Sequence, residues 1–410
     1  MGSHLADVWF SVTDLDVVSG RGSWITTADG SEYLDFTAGI AVASTGHCHP
    51  HVVRAIQEQA ARFIHAQVNC YRHDRLEPLA ARLAEITPAG IEKFFYANSG
   101  AEITEGAVKL AKQVTKRPNV IVFSGSFHGR THMAMAMTTS KTGYRSGHNP
   151  LPAGVVVAPF PDPLAADPEA EVDDTIAGLR HVLKTLTAPD ETAAMVMEPV
   201  LGEGGYVPAP PRFLRAVAET CREHGILFIA DEVQSGFGRT GEMFAVEHYG
   251  VVPDVICMAK GIASGFPFAA LGTTAELNSR WPKGSHGGTY GGNPIGCAAA
   301  LATIDVLTEP GFLENVRARG EQLSAGLRDV ARHEPALRQV RGLGLMIAAQ
   351  FDDAARVAAI QQHCLREGHL LLMNAGTYSN SIRWMPPLVV TEAEIAQALA
   401  AFGAAVKATA

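Results

Sequence analysis

The stretch Ile226-Leu-Phe-Ile-Ala-Asp-Glu-Val-Gln234 decides the fold, together with Val255-Ile-Cys-Met-Ala-Lys-Gly261 further along the chain. Each begins as an apolar run and then reaches a charged residue, which is typical of a buried strand that meets its loop. Open α/β sheets collect their ligands beyond the carboxyl ends of such strands. We therefore expect Asp231 and Lys260 to face one crevice, although either residue alone is also consistent with a solvated charge at an ordinary strand end.

A lysine and an acid in one crevice favour a particular cofactor chemistry. An amine near an apolar wall loses hydration, its pKa falls from about 10.4, and it becomes a nucleophile that attacks carbonyl groups. An acid opposite the amine holds a heterocycle nitrogen protonated. Pyridoxal 5′-phosphate needs both groups, so Lys260 and Asp231 together predict a site for this cofactor.

Two loops carry residues suited to a phosphate group. Ser99, Gly100 and Ala101 follow a strand-like run and precede a helical pattern, which predicts backbone N–H groups at a helix N-terminus. A Ser-Gly-Ala sequence by itself is more often only a helix cap. The glycine-rich loop at 284–296 permits close backbone approach, and its Thr289 offers a hydroxyl to a phosphate oxygen; a merely flexible loop is the alternative.

A third loop, at 124–131, follows another strand-like run and contains both an aromatic ring and an arginine. The ring of Phe127 can stack on a pyridine ring, and Arg130 offers a planar fork for a substrate carboxylate. The alternative is an exposed loop whose arginine makes an ordinary surface pair. The loop therefore adds a ring partner and a candidate carboxylate site to the expected crevice.

Three motifs, in order, give the chain a family resemblance. They are Glu198-Pro-Val-Leu-Gly-Glu-Gly-Gly205, Asp231-Glu-Val-Gln-Ser-Gly-Phe-Gly-Arg-Thr-Gly241 and Met258-Ala-Lys-Gly261. Together they resemble the class III branch of the fold type I aminotransferases, which holds the 4-aminobutyrate, ornithine and acetylornithine enzymes. The resemblance runs over about 30–390 and implies a large α/β domain, with a mostly parallel sheet flanked by helices, and a smaller α+β domain.

The resemblance also implies cofactor roles. Lys260 would bind pyridoxal phosphate covalently and carry the proton during catalysis, and Asp231 would keep the pyridine nitrogen protonated. Phe127 and Val233 would pack on the two ring faces, with Gln234 near the phenolic oxygen. The full set of implied cofactor contacts is Ser99, Gly100, Ala101, Phe127, His128, Glu198, Asp231, Val233, Gln234, Lys260 and Thr289. Thr289 would reach the phosphate of a neighbouring subunit, which implies a homodimer with shared active sites and leaves a tetramer open.

The substrate residues that the resemblance implies are Ile40, Arg130, Glu203 and Arg383. Arg130 would hold the distal carboxylate of an amino donor, and Arg383 the α-carboxylate of 2-oxoglutarate. Glu203 would pair with Arg383 and mask its charge while an ω-amino donor is bound. The alternative is that Glu203 and Arg383 lie in ordinary surface pairs.

The chain departs from the family pattern at two positions. Leu201 stands where a glutamine is common, which predicts a more apolar neighbourhood for Glu203. Gly106 interrupts the helix after the phosphate loop at a cost of about 1 kcal/mol relative to alanine, and the sequence offers no functional reason for it. The loop segment 291–294 is closer to the ornithine type, whereas 39–42 and 151–161 look more like the 4-aminobutyrate type.

Strand-like runs alternate with helical patterns over the middle of the chain, which predicts the largely parallel sheet. The runs lie at 93–98, 119–123, 154–159, 192–198, 226–231, 255–259 and 268–273. Beyond a long apolar helix from Cys297, strands near 340–351, 370–374 and 381–384 and three helices predict the smaller domain. The expected division is 5–50, an N-terminal segment joining the small domain; 51–305, the large cofactor-binding domain; and 306–410, the small domain.

Composition narrows the class of protein. The 410 residues carry a net charge of −9 without a basic run, which argues against nucleic acid and anionic membranes as partners. No apolar run spans a bilayer, and a soluble, cytoplasmic protein is expected. The six scattered cysteines suggest reduced thiols, and the run His47-Cys-His-Pro-His51 lacks the distant ligand pair of a zinc site, so no metal is expected. Met1-Gly-Ser-His4 is interpreted as an expression-vector remnant.

The leading hypothesis is a transaminase that moves an amino group from an ω-amino acid, best 4-aminobutyrate, to 2-oxoglutarate by a ping-pong mechanism. An ornithine or N-acetylornithine transaminase is the close competitor. An amino-acid racemase or epimerase of the same family would need no keto acid, which separates it from a transaminase. A catalytically silent member is the remaining alternative, and the presence of Lys260 and Asp231 argues against it.

Overall fold

The structure is a computed structural model that describes residues 4–410. Met1, Gly2 and Ser3, most of the stretch interpreted as a vector remnant, lie outside the described residues. The strands are, in chain order, β1 (Val17–Arg21), β2 (Trp24–Thr27), β3 (Glu32–Asp35), β4 (Lys93–Ala97), β5 (Asn119–Phe123), β6 (Val155–Ala158), β7 (Thr192–Met197), β8 (Val200–Leu201), β9 (Val207–Pro208), β10 (Leu227–Asp231), β11 (Val255–Met258), β12 (Ala269–Thr273), β13 (Leu337–Leu343), β14 (Met346–Phe351), β15 (Leu370–Leu371), β16 (Met373–Ala375) and β17 (Ser381–Trp384). The α-helices are α1 (Ala38–Ala41), α2 (Pro50–Arg62), α3 (Leu76–Ile86), α4 (Gly100–Thr115), α5 (His132–Met137), α6 (Pro168–Thr185), α7 (Pro211–His224), α8 (Ala275–Ser279), α9 (Pro294–Leu307), α10 (Phe312–His333), α11 (Ala354–Arg366) and α12 (Glu392–Ala408).

A seven-stranded sheet occupies the centre of the molecule, in the order β4-β12-β11-β10-β7-β5-β6. Strands β6, β5, β7, β10 and β11 pair in parallel, and β12 is antiparallel to both β11 and β4. All seven strands expected from the apolar runs are present, within one residue of the expected bounds. The prediction of a largely parallel sheet is confirmed, with β12 as its single reversed strand.

Helices cover both faces of this sheet because its strands are apolar on both faces. On β5, Val120 and Val122 belong to the core beneath α4, whereas Ile121 and Phe123 belong to the core beneath α6 and α7. Successive strand residues point to opposite faces, so an unbroken apolar run is what a sheet covered on both sides requires.

The first strands of the chain pair with its C-terminal part. β1, β2, β3 and β15 form one sheet, in which Leu34 of β3 lies opposite Leu370 of β15. A second sheet, β13-β14-β17-β16, lies in the C-terminal part and carries Arg383 on a fully buried strand. These contacts agree with an N-terminal segment that joins a C-terminal unit, and the division at 50 and 305 stays a prediction.

The prediction of a single strand at 340–351 is wrong, because this segment contains two strands. The chain forms the hairpin β13 and β14 there, with Leu343 opposite Met346. Gly344 lies in the turn with φ +52°, a conformation that glycine adopts easily. The glycine was therefore the available sign that the apolar run is broken in two.

The apolar helix expected from Cys297 is present as α9, and nearly all of its residues are buried. Within residues 4–410, no single helix is both long and apolar enough to cross a membrane. Helices α9 and α10 together reach the required length and hydropathy, but they are bent by 71° where they meet.

Candidate active site

A cavity of about 370 Å³ opens where the carboxyl ends of the parallel strands meet. Asp231 ends β10, Lys260 follows β11 by two residues, and Glu198 directly follows β7. The predicted site residues that line this cavity are Ser99, Gly100, Ala101, Phe127, His128, Arg130, Glu198, Asp231, Val233, Gln234 and Lys260. The crevice expected from the first two strand ends therefore exists and collects eleven predicted residues.

Asp231 is held by two neighbours at the floor of the cavity. The Nδ1 atom of His128 lies 2.7 Å from Asp231 Oδ2, and because a carboxylate accepts, Nδ1 donates. The backbone N–H of Val233 donates to the other oxygen, Oδ1, at 3.1 Å. Burial lowers the pKa of His128, whereas its hydrogen bond to Asp231 and the nearby carboxylates of Asp231 and Glu198 raise it. The raising effects together are larger, so the pKa of His128 lies above its usual value. The pair therefore presents an acid whose orientation is fixed.

Lys260 carries an amine suited to nucleophilic attack. Burial lowers its pKa to about 8, although the carboxylate of Glu203 opposes this and the cation of Arg383 adds to it. Its backbone has φ +47°, a strained conformation for a residue other than glycine. Such strain is concentrated at functional sites, where surrounding structure maintains it.

The helix α4 begins at the wall of the cavity and is capped as expected. The Ser99 side chain accepts from the backbone N–H of Glu102 at 3.3 Å, which makes Ser99 the N-cap. A Cβ atom on Gly100 would lie 2.9 Å from Val233 Cγ1, so only glycine lets Val233 approach. The positive end of a 16-residue helix therefore faces the cavity beside Val233.

Glu198 connects two of the loops that build the site. Its Oε1 accepts from the backbone N–H of Phe127 at 2.7 Å, and its Oε2 accepts from that of Gly202 at 2.8 Å. Burial raises its pKa to about 7. The carboxyl group thus fixes where the ring of Phe127 stands relative to the loop that carries Glu203.

Glu203 and Arg383 form a buried ion pair next to Lys260. Oε1 of Glu203 accepts from Arg383 Nη1, and its Oε2 accepts from the Tyr144 hydroxyl at 3.0 Å. Burial raises the pKa of Glu203, but the cations of Arg383 and Lys260 outweigh this and hold it below its usual value. The alternative of an ordinary surface pair is wrong, because the Arg383 side chain is only 3% exposed.

Arg130 lies at the mouth of the cavity. Its guanidinium carbon stands 4.7 Å from the ring centre of Tyr144, and that ring meets Phe127 edge-on at 5.2 Å. A cation over an aromatic face is oriented without being neutralised. The Arg130 charge therefore remains available to an anionic group that enters the cavity.

Sequence reasoning missed Tyr144, which contacts Phe127, Arg130 and Glu203 at once. No local pattern marks it, because its importance arises only when the fold brings 144 beside 203. It also missed Tyr206, whose hydroxyl donates to Gln234 Oε1 at 2.7 Å. For Tyr206 a signal did exist, since it directly follows the motif that ends at Gly205.

The comparisons with known proteins agree with this geometry. Residues 6–406 match the family model described as aminotransferase class-III. The chain belongs to the class III aminotransferases. Three relatives of the aminotransferase are each 40% identical to it. The alignment with a 5-aminovalerate aminotransferase of Pseudomonas putida covers 94% of this chain and 91% of the relative. The alignment with a 4-aminobutyrate aminotransferase of Escherichia coli covers 90% of this chain and 88% of the relative, and that with an acetylornithine aminotransferase of Caldanaerobacter subterraneus covers 93% and 92%, respectively. Its fold is similar to the PLP-bound crystal structure of an amine transaminase from an uncultivated Pseudomonas species, with a TM-score of 0.92, 28% identity and full coverage of both chains.

The aminotransferase depends on pyridoxal phosphate (PLP), and its cavity has the groups that this cofactor needs. Lys260 supplies an amine of lowered pKa, Asp231 an acid, and α4 a helix N-terminus for phosphate. Among residues 4–410, the buried Nε2 atom of His128 has no hydrogen-bond partner, so this side of the ring makes no hydrogen bond that would keep it from a cofactor. The residues therefore fit the cofactor.

Four predicted residues of the aminotransferase do not line this cavity: Glu203 and Arg383, which form the buried pair near Lys260, and Thr289 and Ile40. Thr289 is exposed on the glycine-rich loop and does not line the cavity of its own chain. Ile40 is 37% exposed in the short turn of α1, where φ is +66°, and Val42 lines the cavity instead. Leu201 lines a neighbouring cavity rather than the one with Lys260, and the more apolar neighbourhood of Glu203 stays a prediction.

The histidine run of the aminotransferase has structural partners. His47 Nε2 lies 2.8 Å from Asp35 Oδ2, and His49 caps α2 by accepting from the backbone N–H of His51. Within residues 4–410, no group of three or more histidine, cysteine or acidic side chains is arranged to hold a metal ion.

The lowered pKa of Lys260 gives cofactor attachment a testable pH dependence. Only the neutral amine attacks an aldehyde, so attachment to the cofactor-free enzyme should speed up with rising pH and level off above about 8. Below that pH the rate should fall by about tenfold per unit, as the neutral fraction does. Stopped-flow absorbance after mixing with excess PLP measures the rate. A rate still rising near pH 10, roughly the pKa of an exposed lysine, would contradict the assignment.

Proposed function

We propose that this aminotransferase moves the amino group of an ω-amino acid, best 4-aminobutyrate, to 2-oxoglutarate in two half-reactions at one cavity. The observation that carries the proposal is the buried pair of Glu203 and Arg383 beside Lys260. A site that accepts two substrates of different charge needs an arginine whose charge can be masked. In this pair Arg383 is that arginine, and the carboxylate of Glu203 neutralises its charge.

The donor half-reaction uses Arg130 and the closed ion pair. An ω-amino acid has a carboxylate at its far end and none next to its amine. Arg130, exposed at the mouth and oriented by Tyr144, binds the far carboxylate. Glu203 keeps Arg383 neutralised meanwhile, so that no unpaired cation faces the apolar part of the donor.

The acceptor half-reaction uses the open ion pair. 2-Oxoglutarate has a second carboxylate next to its keto group, and that carboxylate replaces Glu203 as the partner of Arg383. The distal carboxylate again binds Arg130. Tyr144 links the two proposed carboxylate-binding sites, since it contacts Arg130 with its ring and Glu203 with its hydroxyl.

PLP, when bound, supplies an electron sink for the charge that develops as the substrate loses its Cα proton. Lys260 would hold the cofactor and then carry that proton. Asp231, fixed by His128, would keep the pyridine nitrogen protonated. Phe127 and Val233 would pack on the cofactor ring, and Ser99, Gly100 and Ala101 would bind the phosphate. Gln234, which accepts a hydrogen bond from Tyr206, would hold the phenolic oxygen.

We also propose that the enzyme is a homodimer with shared active sites. Thr289 is exposed on its own chain, so its hydroxyl is free to reach the phosphate bound by a second copy. Loss of PLP affinity in dimers of Thr289→Ala tests this arrangement. Sedimentation velocity of the holoenzyme distinguishes dimers from tetramers.

Mixing the holoenzyme with single amino acids, without a keto acid, tests the proposed reaction. We expect 4-aminobutyrate to abolish the visible absorption band of the lysine-bound cofactor, and 2-oxoglutarate to restore it. The control is the same mixture without an amino acid. A band that 4-aminobutyrate leaves unchanged would contradict the proposed donor.

The competing reaction is transfer from ornithine or N-acetylornithine. It is favoured by the ornithine-type segment 291–294 and by the acetylornithine relative, which is as similar as the 4-aminobutyrate one. Loss of the band only with ornithine or its acetyl derivative would select it. An amino acid that loses its chirality while the band persists would indicate a racemase or epimerase instead.

Replacing Glu203 by alanine should shift donor preference towards α-amino acids such as glutamate. Arg383 is then unmasked, so it attracts an α-carboxylate and disfavours a donor without one. The ratio of kcat/KM for glutamate to that for 4-aminobutyrate should rise on the order of tenfold or more. The matched control is Glu334→Ala, which breaks another partly buried pair, with Arg356, outside the cavity. An equal ratio in both variants would count against the proposed switch.

A further inference from the structure

Gly106 lies in the interior of α4, where glycine is disfavoured relative to alanine. A Cβ atom on this residue would lie 3.1 Å from the Nε2 atom of His286. That distance is tighter than ordinary van der Waals contact, so a side chain at 106 would push His286 away. The glycine therefore makes room for one side chain of the glycine-rich loop.

His286 packs against the aromatic rings of Phe95 and Trp281, which also contact each other. Its ring centre lies 4.8 Å from that of Phe95 and 5.7 Å from that of Trp281, with interplanar angles of 33° and 28°. Phe95 and His286 line a cavity of about 190 Å³ that shares Asn98 with the larger one. His286 is therefore docked in a defined place beside the phosphate-binding end of α4.

Lys109 of α4 completes the contacts of His286. Its Nζ lies 3.1 Å from His286 Nδ1, and because an ammonium group only donates, Nδ1 accepts. Burial lowers the pKa of His286, and Lys109 lowers it further, against the opposing effect of Glu102 and Glu105. The docked side chain is therefore the neutral form.

The glycine-rich loop also makes contacts on the C-terminal side of Thr289. The ring of Tyr290 lies 5.3 Å from that of His65, and His73 Nε2 lies 2.8 Å from the carbonyl oxygen of Gly292. Thr289 thus stands between two attachment points, three residues after His286, with its own side chain exposed.

We propose that His286 is a positioning residue that docks the glycine-rich loop on α4 and thereby sets where Thr289 presents its hydroxyl to a phosphate group. This rests on the proposed role of Thr289 at the site of a second copy. Gly106 and Lys109 take part in the same docking contact, because Gly106 leaves space for the His286 ring and Lys109 donates a hydrogen bond to it. Without His286 the segment 284–288 loses its only ring contacts among the described residues.

Two measurements on the holoenzyme test the proposal, namely the dissociation constant of PLP and hydrogen exchange of the amides at 284–292. His286→Ala should speed exchange and raise the dissociation constant by about tenfold, as loss of a hydrogen bond to a charged group does. His286→Phe keeps the ring contacts and should have a smaller effect. His369→Ala is the matched control, since it removes a histidine stacked on Tyr33 in another sheet, and should change neither quantity.

The double variant separates positioning from general stability. Since His286 acts through Thr289, His286→Ala should raise the dissociation constant by less than about twofold in a Thr289→Ala background. The inference about His286 would be overturned, with the proposed role of Thr289 intact, by either of two results. One is that the two substitutions have additive effects on the affinity for PLP; the other is that Thr289→Ala weakens PLP binding whereas His286→Ala leaves it unchanged. Unchanged affinity in Thr289→Ala would overturn the proposed role of Thr289 and the inference with it.

Discussion

Replacing Lys260 by alanine is expected to lower the rate of amino transfer by about 10³-fold or more. The variant loses both the proposed nucleophile that binds the cofactor and the proposed base that carries the substrate proton, and positioned proton transfer alone contributes about 10²–10⁴-fold. Lys141 is a second amine in the electrostatic field of Glu203 and Arg383, but it does not line the cavity and donates a hydrogen bond to Ser379. Single-turnover absorbance with 4-aminobutyrate and excess PLP measures the rate.

Lys112→Ala is the matched control for this variant. Lys112 also has a pKa lowered by burial, but it lies on α4 outside the cavity. Its replacement should leave the single-turnover rate within about twofold, as expected for a site away from the chemistry. If Lys260→Ala kept more than a few per cent of the rate, the assignment of Lys260 would be wrong.

Replacing Asp231 by asparagine is expected to lower kcat on the order of 10²-fold or more, and to weaken PLP binding. Asparagine has nearly the same shape, so the contact with Val233 can persist, but the variant loses the negative charge that we propose keeps a pyridine nitrogen protonated. His128, which now donates to a carboxylate at 2.7 Å, loses the partner that raises its pKa. Steady-state kinetics at saturating PLP separate the loss of chemistry from the loss of cofactor.

Asp254→Asn tests whether the effect of Asp231→Asn is electrostatic. Asp254 is also a partly buried acid of the central sheet, and its Oδ2 accepts from the backbone N–H of Phe228 at 2.7 Å. It lies at the opposite end of the strands, away from the cavity, so its replacement should affect stability more than kcat. Equal losses of kcat in both variants would show that a buried charge of the sheet, rather than the contact with the cofactor, is responsible.

The parts of the fold that follow from local pattern were predictable. Each strand of the central sheet is a short apolar run, and the run at 226–231 ends in the acid that the cavity contains. The N-cap Ser99 follows from the same local logic, because a cap and its helix are neighbours in the chain. The roles of Glu203 and Arg383 came from family resemblance, since no spacing rule joins residues 180 positions apart.

What could not be predicted depends on contacts between distant segments. Tyr144 lies in a polar stretch, and only the folded chain brings it against Glu203 and Arg130. The purpose of Gly106 was equally hidden, because the side chain it accommodates lies 180 residues later in another loop. The place of Leu201 was hidden as well, because only the folded chain shows that it lines a neighbouring cavity rather than the one with Lys260.

The pairing of β3 with β15 has a consequence for how the protein is made. Leu34 meets Leu370 only after roughly 340 further residues have been added, which takes about half a minute at typical rates of synthesis. Until then β3 presents an unpaired edge, the kind of surface that recruits strands from other chains. Newly made chains should therefore depend on chaperones during translation, and cleavage before 370 should yield an aggregating fragment rather than a smaller enzyme.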